Sequence, residues 1–174
     1  MLKKPLSILL LLAALPAAAQ PQQPFDCESS APHRQFDFWL GDWAVHDAEG
    51  TLQGTNSIRK IQNGCAVEEQ WKSVRGGTGQ SVNYYHPDGK QWHQLWHDAG
   101  ASIIDIAGGL DGDSMVLTGT IYYLNRQSTH AFRGRWTPLA DGRVRQLFQQ
   151  QDSEGEWQTW FDGYYSRSDT GARE

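Results

Sequence analysis

Two acidic residues, Glu69 and Asp98, stand where their carboxyl groups could take part in chemistry inside the protein. Each lies in a segment rich in apolar and aromatic residues, and alternate side chains of an extended strand point to opposite faces. Glu69 therefore shares a face with Val67 and Trp71, and Asp98 shares one with Trp96. A pair of interior carboxyl groups can act as general acid and general base. The sequence does not give their separation, so paired or solvent-exposed carboxylates remain the alternative.

The same alternation predicts an interior that is aromatic and also polar. An unpaired buried polar group costs roughly 1–3 kcal/mol, so a cavity that holds a ligand or water accounts for several such groups directly. The alternative is a dry core in which the polar groups pair with one another and fix the strand register. A single β-bulge would reverse the facing of every residue after it. The predicted ligand-binding residues are Glu69, Trp71, Asn83, Trp92, Gln94, Trp96, Asp98, Gln146, Phe148, Trp157 and Phe161.

The histidines show no spacing typical of a metal site. His93 and His97 share a predicted strand face, but four residues at about 3.3 Å each put them about 13 Å apart. The sequence contains no zinc-protease, phosphate-binding, dinucleotide-binding or nucleophile-elbow motif. We therefore expect no metal and no cofactor.

These residues would be positioned by short strands, because turn signals recur throughout the chain while helical periodicity is scarce. The pattern is typical of consecutive antiparallel hairpins. It predicts about ten strands, at 43–48, 52–61, 65–73, 80–85, 90–98, 101–108, 114–124, 129–137, 143–151 and 156–167. Closing such a meander into an up-and-down barrel removes its edges. The expected fold is therefore an all-β antiparallel barrel, with a two-sheet sandwich as the alternative.

Two further segments complete this picture of the barrel. Residues 34–40 are predicted to form a short helix or turn that leads into the first strand. The glycine-rich run Gly76-Gly77-Thr78-Gly79 is followed by no lysine or helix of the phosphate-binding kind. It is predicted to be a flexible hairpin loop at the mouth of the barrel.

The octapeptide FDFWLGDW at residues 36–43 resembles the opening motif of an uncharacterised family of secreted bacterial proteins. Those proteins resemble calycins, the lipocalin-like barrels that include fatty-acid-binding proteins and nitrobindins. The resemblance covers residues 34–167, with further matching segments at 64–65, 92–96, 141–146 and 161–165.

The resemblance implies a lipocalin-like barrel, but it carries no settled activity. In lipocalins the Trp of a G-x-W motif plugs one barrel end beneath an Arg from the last strand. Trp43 and Arg167 resemble that pair. Nitrobindins ligate haem through a histidine, for which His130 is the candidate position here. An ordinary hydrogen-bonded histidine is the alternative to that haem ligand.

The N-terminus resembles a signal for export. Lys3 and Lys4 precede a short apolar run at 7–15, and Ala17-Ala18-Ala19 supplies a cleavage signal near Ala19. The apolar run is too short for a comfortable membrane span. We therefore expect a periplasmic or secreted protein. In such a compartment Cys27 and Cys65, the two cysteines of the chain, are expected to form a disulfide.

The expected organisation is a signal peptide at 1–19, a linker or arm at 20–33, one barrel domain at 34–168 and a disordered tail at 169–174. The formal charge of the chain is −5, and removal of Lys3 and Lys4 makes it −7. A surface of this charge does not favour nucleic acid as a partner. No stable membrane insertion is expected, and the oligomeric state is not predicted.

The function that the sequence favours is binding of a small, partly apolar ligand inside an exported barrel, without catalysis. One alternative is a small barrel enzyme (an isomerase, lyase or hydrolase) that uses Glu69 or Asp98. The other is an interaction module that stacks its eight tryptophans on glycans or other cell-envelope material.

Overall fold

The computed structural model describes residues 25–168. Two short 3-10 helices, Ala31–Arg34 and Asp37–Trp39, precede ten β-strands. The strands are β1 Gly41–His46, β2 Leu52–Ile61, β3 Ala66–Ser73, β4 Thr78–His86, β5 Gln91–Asp98, β6 Ser102–Asp111, β7 Ser114–Tyr123, β8 Ser128–Pro138, β9 Val144–Gln151 and β10 Trp157–Arg167. The predicted signal peptide and C-terminal tail lie outside the described residues.

The strands form a closed antiparallel barrel in which each strand pairs with its neighbours along the chain. Closure comes from β10, which pairs with β1 from Trp43 opposite Arg167 to His46 opposite Tyr164. The predicted up-and-down barrel is confirmed, and the two-sheet sandwich is excluded. The strand number agrees with the sequence prediction, and the strand ends agree to within a few residues.

The glycine-rich run 76–79 forms a shorter loop than the sequence predicts, because β4 begins at Thr78. Gly79 pairs with Trp71 on one side and Asp98 on the other. A Cβ atom at Gly79 would lie 2.1 Å from the indole ring of Trp96. This glycine therefore serves close packing inside the barrel, whereas Gly76 and Gly77 form the loop.

One end of the barrel is filled by aromatic side chains. Phe36 stacks on Trp39 with ring centroids 4.9 Å apart, and it contacts Trp92 and Trp136 edge-on at 5.5 and 5.2 Å. All four side chains are buried. The two 3-10 helices thus insert Phe36 and Trp39 into this end of the barrel, which we call the closed end.

Trp43 and Arg167 make the contact that the lipocalin resemblance implies. The Arg167 guanidinium lies 3.9 Å from the centroid of the Trp43 ring, and it also donates to the carbonyl of Leu40. Gly41 is required beside them, because its φ is +135° and a Cβ there would lie 1.8 Å from Nη1 of Arg167.

The predicted Cys27–Cys65 disulfide is present. It joins the N-terminal arm to the turn between β2 and β3, at the closed end. Lys60 strengthens the same attachment through ion pairs with Glu28 at 2.8 Å and Asp37 at 3.1 Å. Within residues 25–168 no helix has the length and hydropathy needed to span a membrane.

Candidate functional site

A cavity of about 250 Å³ lies at the end of the barrel opposite the two helices, which we call the open end. Ten of its eleven lining residues lie on strands, and Arg75 lies in the loop that connects β3 to β4. Its wall is mainly aromatic and its floor is polar. The lining residues are Gln53, Glu69, Trp71, Ser73, Arg75, Trp96, Gln146, Phe148, Trp160, Phe161 and Tyr165.

The floor of the cavity is a hydrogen-bonded group centred on Glu69. The Glu69 carboxyl accepts a hydrogen bond from Asn56 Nδ2 at 2.7 Å on Oε1 and one from Ser81 Oγ at 2.7 Å on Oε2. The Tyr165 hydroxyl accepts from Asn56 Nδ2 at 3.1 Å and donates to Oε1 of Gln146. The hydrogen-bonded group therefore joins residues from five strands, β2, β3, β4, β9 and β10.

The strand register brings these side chains together. Ser81 on β4 lies directly opposite Glu69 on β3, and directly opposed residues of antiparallel strands have their side chains in contact on one face. On the other side of the barrel, Gln146 on β9 lies opposite Gly163 on β10. A Cβ atom at Gly163 would lie 2.6 Å from the Phe161 ring, so this glycine leaves room for Phe161 beside Gln146 in the cavity lining.

A second polar group lies beneath the floor and does not line the cavity. Asn83 donates to Ser81 Oγ at 2.9 Å and to the carbonyl of Val67 at 3.2 Å, and Gln94 donates to Oδ1 of Asn83 at 2.9 Å. Both amides are buried. These contacts resemble the alternative reading of the sequence, a network that fixes strand register, although Oε1 of Gln94 is buried without a donor.

Burial dominates the electrostatics of Glu69. Removal from water raises the pKa of its carboxyl group from 4.5 to about 7, although the hydrogen bonds from Asn56 and Ser81 oppose the shift. Burial also raises the pKa of Tyr165 well above its ordinary value, and the nearby Glu69 charge adds to that effect. Near neutral pH the floor thus holds a carboxyl group close to its titration midpoint beside a neutral phenol.

Six of the eleven predicted ligand-binding residues line the cavity. The alternation rule gives the correct face for most of them because no β-bulge interrupts their strands. Phe161 keeps the predicted face because it follows the β-bulge in β10. Their contact with a ligand stays a prediction. These six are Glu69, Trp71, Trp96, Gln146, Phe148 and Phe161.

Three further predicted residues face inward without lining the cavity. Asn83 and Gln94 belong to the network beneath the floor. Trp92 lies at the closed end, where its indole nitrogen donates to the Pro32 carbonyl at 3.1 Å and to Gln35 at 3.2 Å. Alternation correctly gives the face of a residue, but it does not give its depth along the barrel.

Asp98 does not line the cavity, so the structure does not bring the two candidate catalytic carboxyl groups together there, and a catalytic role for either stays a prediction. The Asp98 carboxyl accepts hydrogen bonds from the Ser102 backbone N–H at 3.1 Å, from the Ser102 hydroxyl and from Trp96 Nε1 at 3.2 Å. These contacts fix the turn between β5 and β6. A carboxylate that accepts hydrogen bonds from the backbone of a turn is common at strand ends, because short polar side chains there bond to nearby backbone groups.

Trp157 also lies outside the cavity, contrary to prediction, because β10 contains a β-bulge. The pairing of β10 with β9 shifts between Thr159 and Phe161, which leaves Trp160 as the extra residue. Trp157 consequently points to the outer surface, where the Arg133 guanidinium lies 4.1 Å from its ring centroid. The bulge instead turns Trp160 toward the cavity, where its indole nitrogen donates to the Tyr123 hydroxyl at 3.0 Å.

The sequence predictions omit five lining residues: Gln53, Ser73, Arg75, Trp160 and Tyr165. Alternation along β10 from Phe161 does reach Tyr165, so that residue carried a usable signal. Asn56 carried one too, because it alternates with Gly54 and the buried Ile58 on β2. No periodic signal points to Arg75, because it lies in the loop between β3 and β4.

Two of the histidines singled out in the sequence, His93 and His130, pack against aromatic rings. His93 stacks on Tyr84 with ring centroids 5.3 Å apart, and His130 contacts Tyr123 edge-on at 5.9 Å. Within residues 25–168, no group of three or more His, Cys, Asp and Glu side chains is arranged to hold a metal ion.

A scan against models of known protein families finds no match to this chain, and a search of curated proteins finds none either. The fold itself, a closed ten-stranded antiparallel barrel, is consistent with a calycin or lipocalin-like architecture. The function must therefore be argued from the cavity and its residues.

Proposed function

We propose that the protein is an exported carrier that binds a small, partly apolar molecule in the open end of its barrel. One observation carries the proposal: the barrel is filled at the closed end, but at the open end it keeps a cavity with aromatic walls and a polar floor. Pockets of this composition are typical of small-molecule sites, in which apolar walls provide affinity and a few polar groups fix orientation.

The aromatic wall supports binding of an apolar body. Trp71 and Phe161 meet edge-to-face with centroids 5.9 Å apart on one side, and Phe148 lies 6.2 Å from Trp160 on another. Each square ångström of apolar surface that a ligand buries here contributes roughly 25 cal/mol. Glu69, Gln146 and Tyr165 would hold the polar end.

The size of the cavity limits the ligand. Its volume of about 250 Å³ lies just below the roughly 300–1,000 Å³ of pockets that enclose drug-sized molecules. The ligand is therefore expected to be smaller than a typical drug molecule. A long acyl chain would have to extend beyond the open end.

The disulfide supports the exported location. Disulfides persist in oxidising compartments such as the periplasm and the extracellular medium, and they are rare in the cytosol. The Cys27–Cys65 bridge agrees with the signal peptide predicted at 1–19.

Native mass spectrometry of protein purified gently from the periplasm tests the carrier function. We expect an added small-molecule mass that denaturation releases. The Trp71→Ala variant should lose this mass, because it removes part of the cavity wall. The Trp157→Ala variant is the matched control and should keep it, because Trp157 lies on the outer surface. A bare polypeptide mass from the wild-type protein would contradict a carrier that retains its ligand.

A second candidate function is catalysis with Glu69 as general base. It is favoured by the pKa of about 7 that burial gives this carboxyl group, since catalytic bases are tuned toward the working pH. The released molecule should then change chemically when returned to wild-type protein, and should stay unchanged with Glu69→Gln. Equal behaviour of the two proteins would exclude this candidate.

The distribution of tryptophans does not favour the glycan-binding alternative. All eight lie in the described region, and five of them are buried: Trp39, Trp43, Trp92, Trp96 and Trp136. Trp160 is the exposed one, and it lines the cavity. No row of exposed indoles is therefore present in residues 25–168 to stack on sugar rings. Retention on peptidoglycan beads would contradict this conclusion.

A further inference from the structure

Glu69 is a buried carboxyl group that no cation of the described region balances. Seven ion pairs join side chains in residues 25–168, and none of them includes Glu69. The groups that contact its carboxyl oxygens are an amide and a hydroxyl, both neutral. An ionised carboxylate in low-dielectric surroundings is strongly disfavoured unless a positive charge compensates it.

The hydrogen bonds around Glu69 nevertheless suit the ionised form. Each carboxyl oxygen accepts one hydrogen bond, so both oxygens of the group act as acceptors. The donors that make up this shell are fully engaged: Asn56 Nδ2 bonds both Glu69 and Tyr165, and the Tyr165 hydroxyl donates to Gln146. Oδ1 of Asn56 is a further buried acceptor without a donor. The floor thus offers acceptors and lacks positive charge.

The wall of the cavity also favours a positively charged ligand. The faces of Trp, Tyr and Phe rings carry negative electrostatic potential and attract cations that come within about 6 Å, most strongly when the cation is desolvated. Trp71, Trp96 and Phe161 line the cavity together with Glu69. Aromatic rings around an unbalanced carboxylate are the combination that recognises an organic ammonium group.

We propose that the cavity selects a small organic cation, a protonated amine with an apolar body, whose ammonium group pairs with Glu69. This inference rests on the proposed carrier function and names the class of its ligand. The ammonium N–H groups donate to the carboxylate, and the apolar body packs against the aromatic wall toward the open end.

Binding should then be linked to the protonation of Glu69. The ionisable residues lining the cavity are Glu69, Tyr165 and Arg75. Tyr165 stays neutral because its pKa is raised, and Arg75 is an exposed cation in the β3–β4 loop. An amine binds the ionised form of Glu69, whose pKa in the empty protein is about 7. Each pH unit below this value should weaken amine binding by up to about tenfold.

Three probes of matched size test the proposal: benzylamine, benzyl alcohol and benzoate. Each is titrated into full-length mature protein while the indole N–H NMR signals of Trp71 and Trp96 are followed. At about pH 8, benzylamine is expected to bind at least about tenfold more tightly than benzyl alcohol, the advantage typical of a charged hydrogen bond. The advantage should shrink at about pH 6, where Glu69 is mostly protonated.

Three variants identify the group responsible. Glu69→Gln keeps the side-chain size and should reduce benzylamine to the affinity of benzyl alcohol at every pH. Glu68→Gln is the matched control, because Glu68 is the adjacent residue on the outer face, and it should behave as wild type. Arg75→Gln should leave benzylamine binding unchanged or tighter, since it removes a like charge from the rim.

The outcomes separate this inference from the carrier function. If benzyl alcohol binds as tightly as benzylamine, or if benzoate binds most tightly and depends on Arg75, the amine class is wrong and the carrier function stands. If none of the three probes shifts the Trp71 and Trp96 signals, the cavity is not a binding site and both proposals fail. Benzylamine preference that survives Glu69→Gln would also overturn the inference.

Discussion

Glu69 is held at a position that lowers the stability of the folded protein when the carboxyl group is ionised. It is fully buried, and desolvation is the main cause of its raised pKa. Buried ionisable groups without a partner of opposite charge are often found at functional sites, because function and not stability retains them. Asp98 shows the contrasting case of a carboxylate whose hydrogen bonds serve a turn.

Glu69 also predicts a pH-dependent stability. Its pKa is higher in the folded state than in the unfolded chain, so the folded state binds the proton more tightly and stability falls as pH rises from about 4.5 to about 7. The full contribution is about 3 kcal/mol. Glu69→Gln should lack this fall and be more stable than wild type at about pH 8. Urea unfolding across this range measures it, with Glu68→Gln as control. Parallel pH profiles for wild type and Glu69→Gln would contradict the raised pKa.

At the scale of single elements, β1 and β10 show how local geometry closes one end of the barrel. Gly41 allows the Arg167 guanidinium to cross above it and cover the Trp43 ring. The Trp43 indole nitrogen in turn donates to the carbonyl of Trp39 at 2.9 Å, which attaches the second 3-10 helix to the first strand. The Gly-x-Trp sequence therefore has a structural role in closing this end of the barrel.

Gly41→Ala should destabilise the protein by about 1–3 kcal/mol through its φ alone, and by more if Arg167 is displaced. The double variant Gly41→Ala/Arg167→Ala separates the two effects in a thermodynamic cycle. We expect the double variant to lose less stability than the sum of the losses of the two single variants, since removing Arg167 relieves the clash with the new Cβ. Gly77→Ala is the control, because its new Cβ meets nothing closer than 3.8 Å. Strict additivity in chemical denaturation would show that no clash occurs.

At the scale of the whole molecule, the barrel has its stabilising contacts at one end and the cavity at the other. The aromatic plug, the Trp43–Arg167 contact and the disulfide all lie at the closed end. The cavity, the Trp160 bulge and the loop glycines Gly76 and Gly77 lie at the open end. Changes at the closed end should therefore alter stability more than binding.

Cys27→Ala/Cys65→Ala tests that separation. The bridge spans 38 residues along the chain, and a loop of that length is expected to contribute roughly 4 kcal/mol through the unfolded state. The variant should lose stability of this order in urea unfolding, while its affinity for benzylamine stays within about twofold of wild type. A large loss of affinity in the folded variant would show that the two ends of the barrel are coupled.

Much of the fold is predictable from local sequence. Turn residues recur between short segments rich in aromatic and β-branched residues, and this pattern sets the number and approximate ends of the ten strands. Alternation also gives the correct face for Glu69, Trp71 and Trp96, because a strand has a fixed period of two. The Cys27–Cys65 bridge follows from the presence of two cysteines in a chain that the sequence predicts to be exported.

The sequence by itself determined the strand pattern, the disulfide and the inward facing of most site residues, since each depends on local periodicity or on residue count. Only the tertiary structure decided which inward residues reach the cavity. Depth along the barrel depends on strand register, which places Trp92 at the closed end and Glu69 on the floor. The bulge at Trp160 exchanges the faces of Trp157 and Trp160, because one extra residue in a strand reverses the alternation.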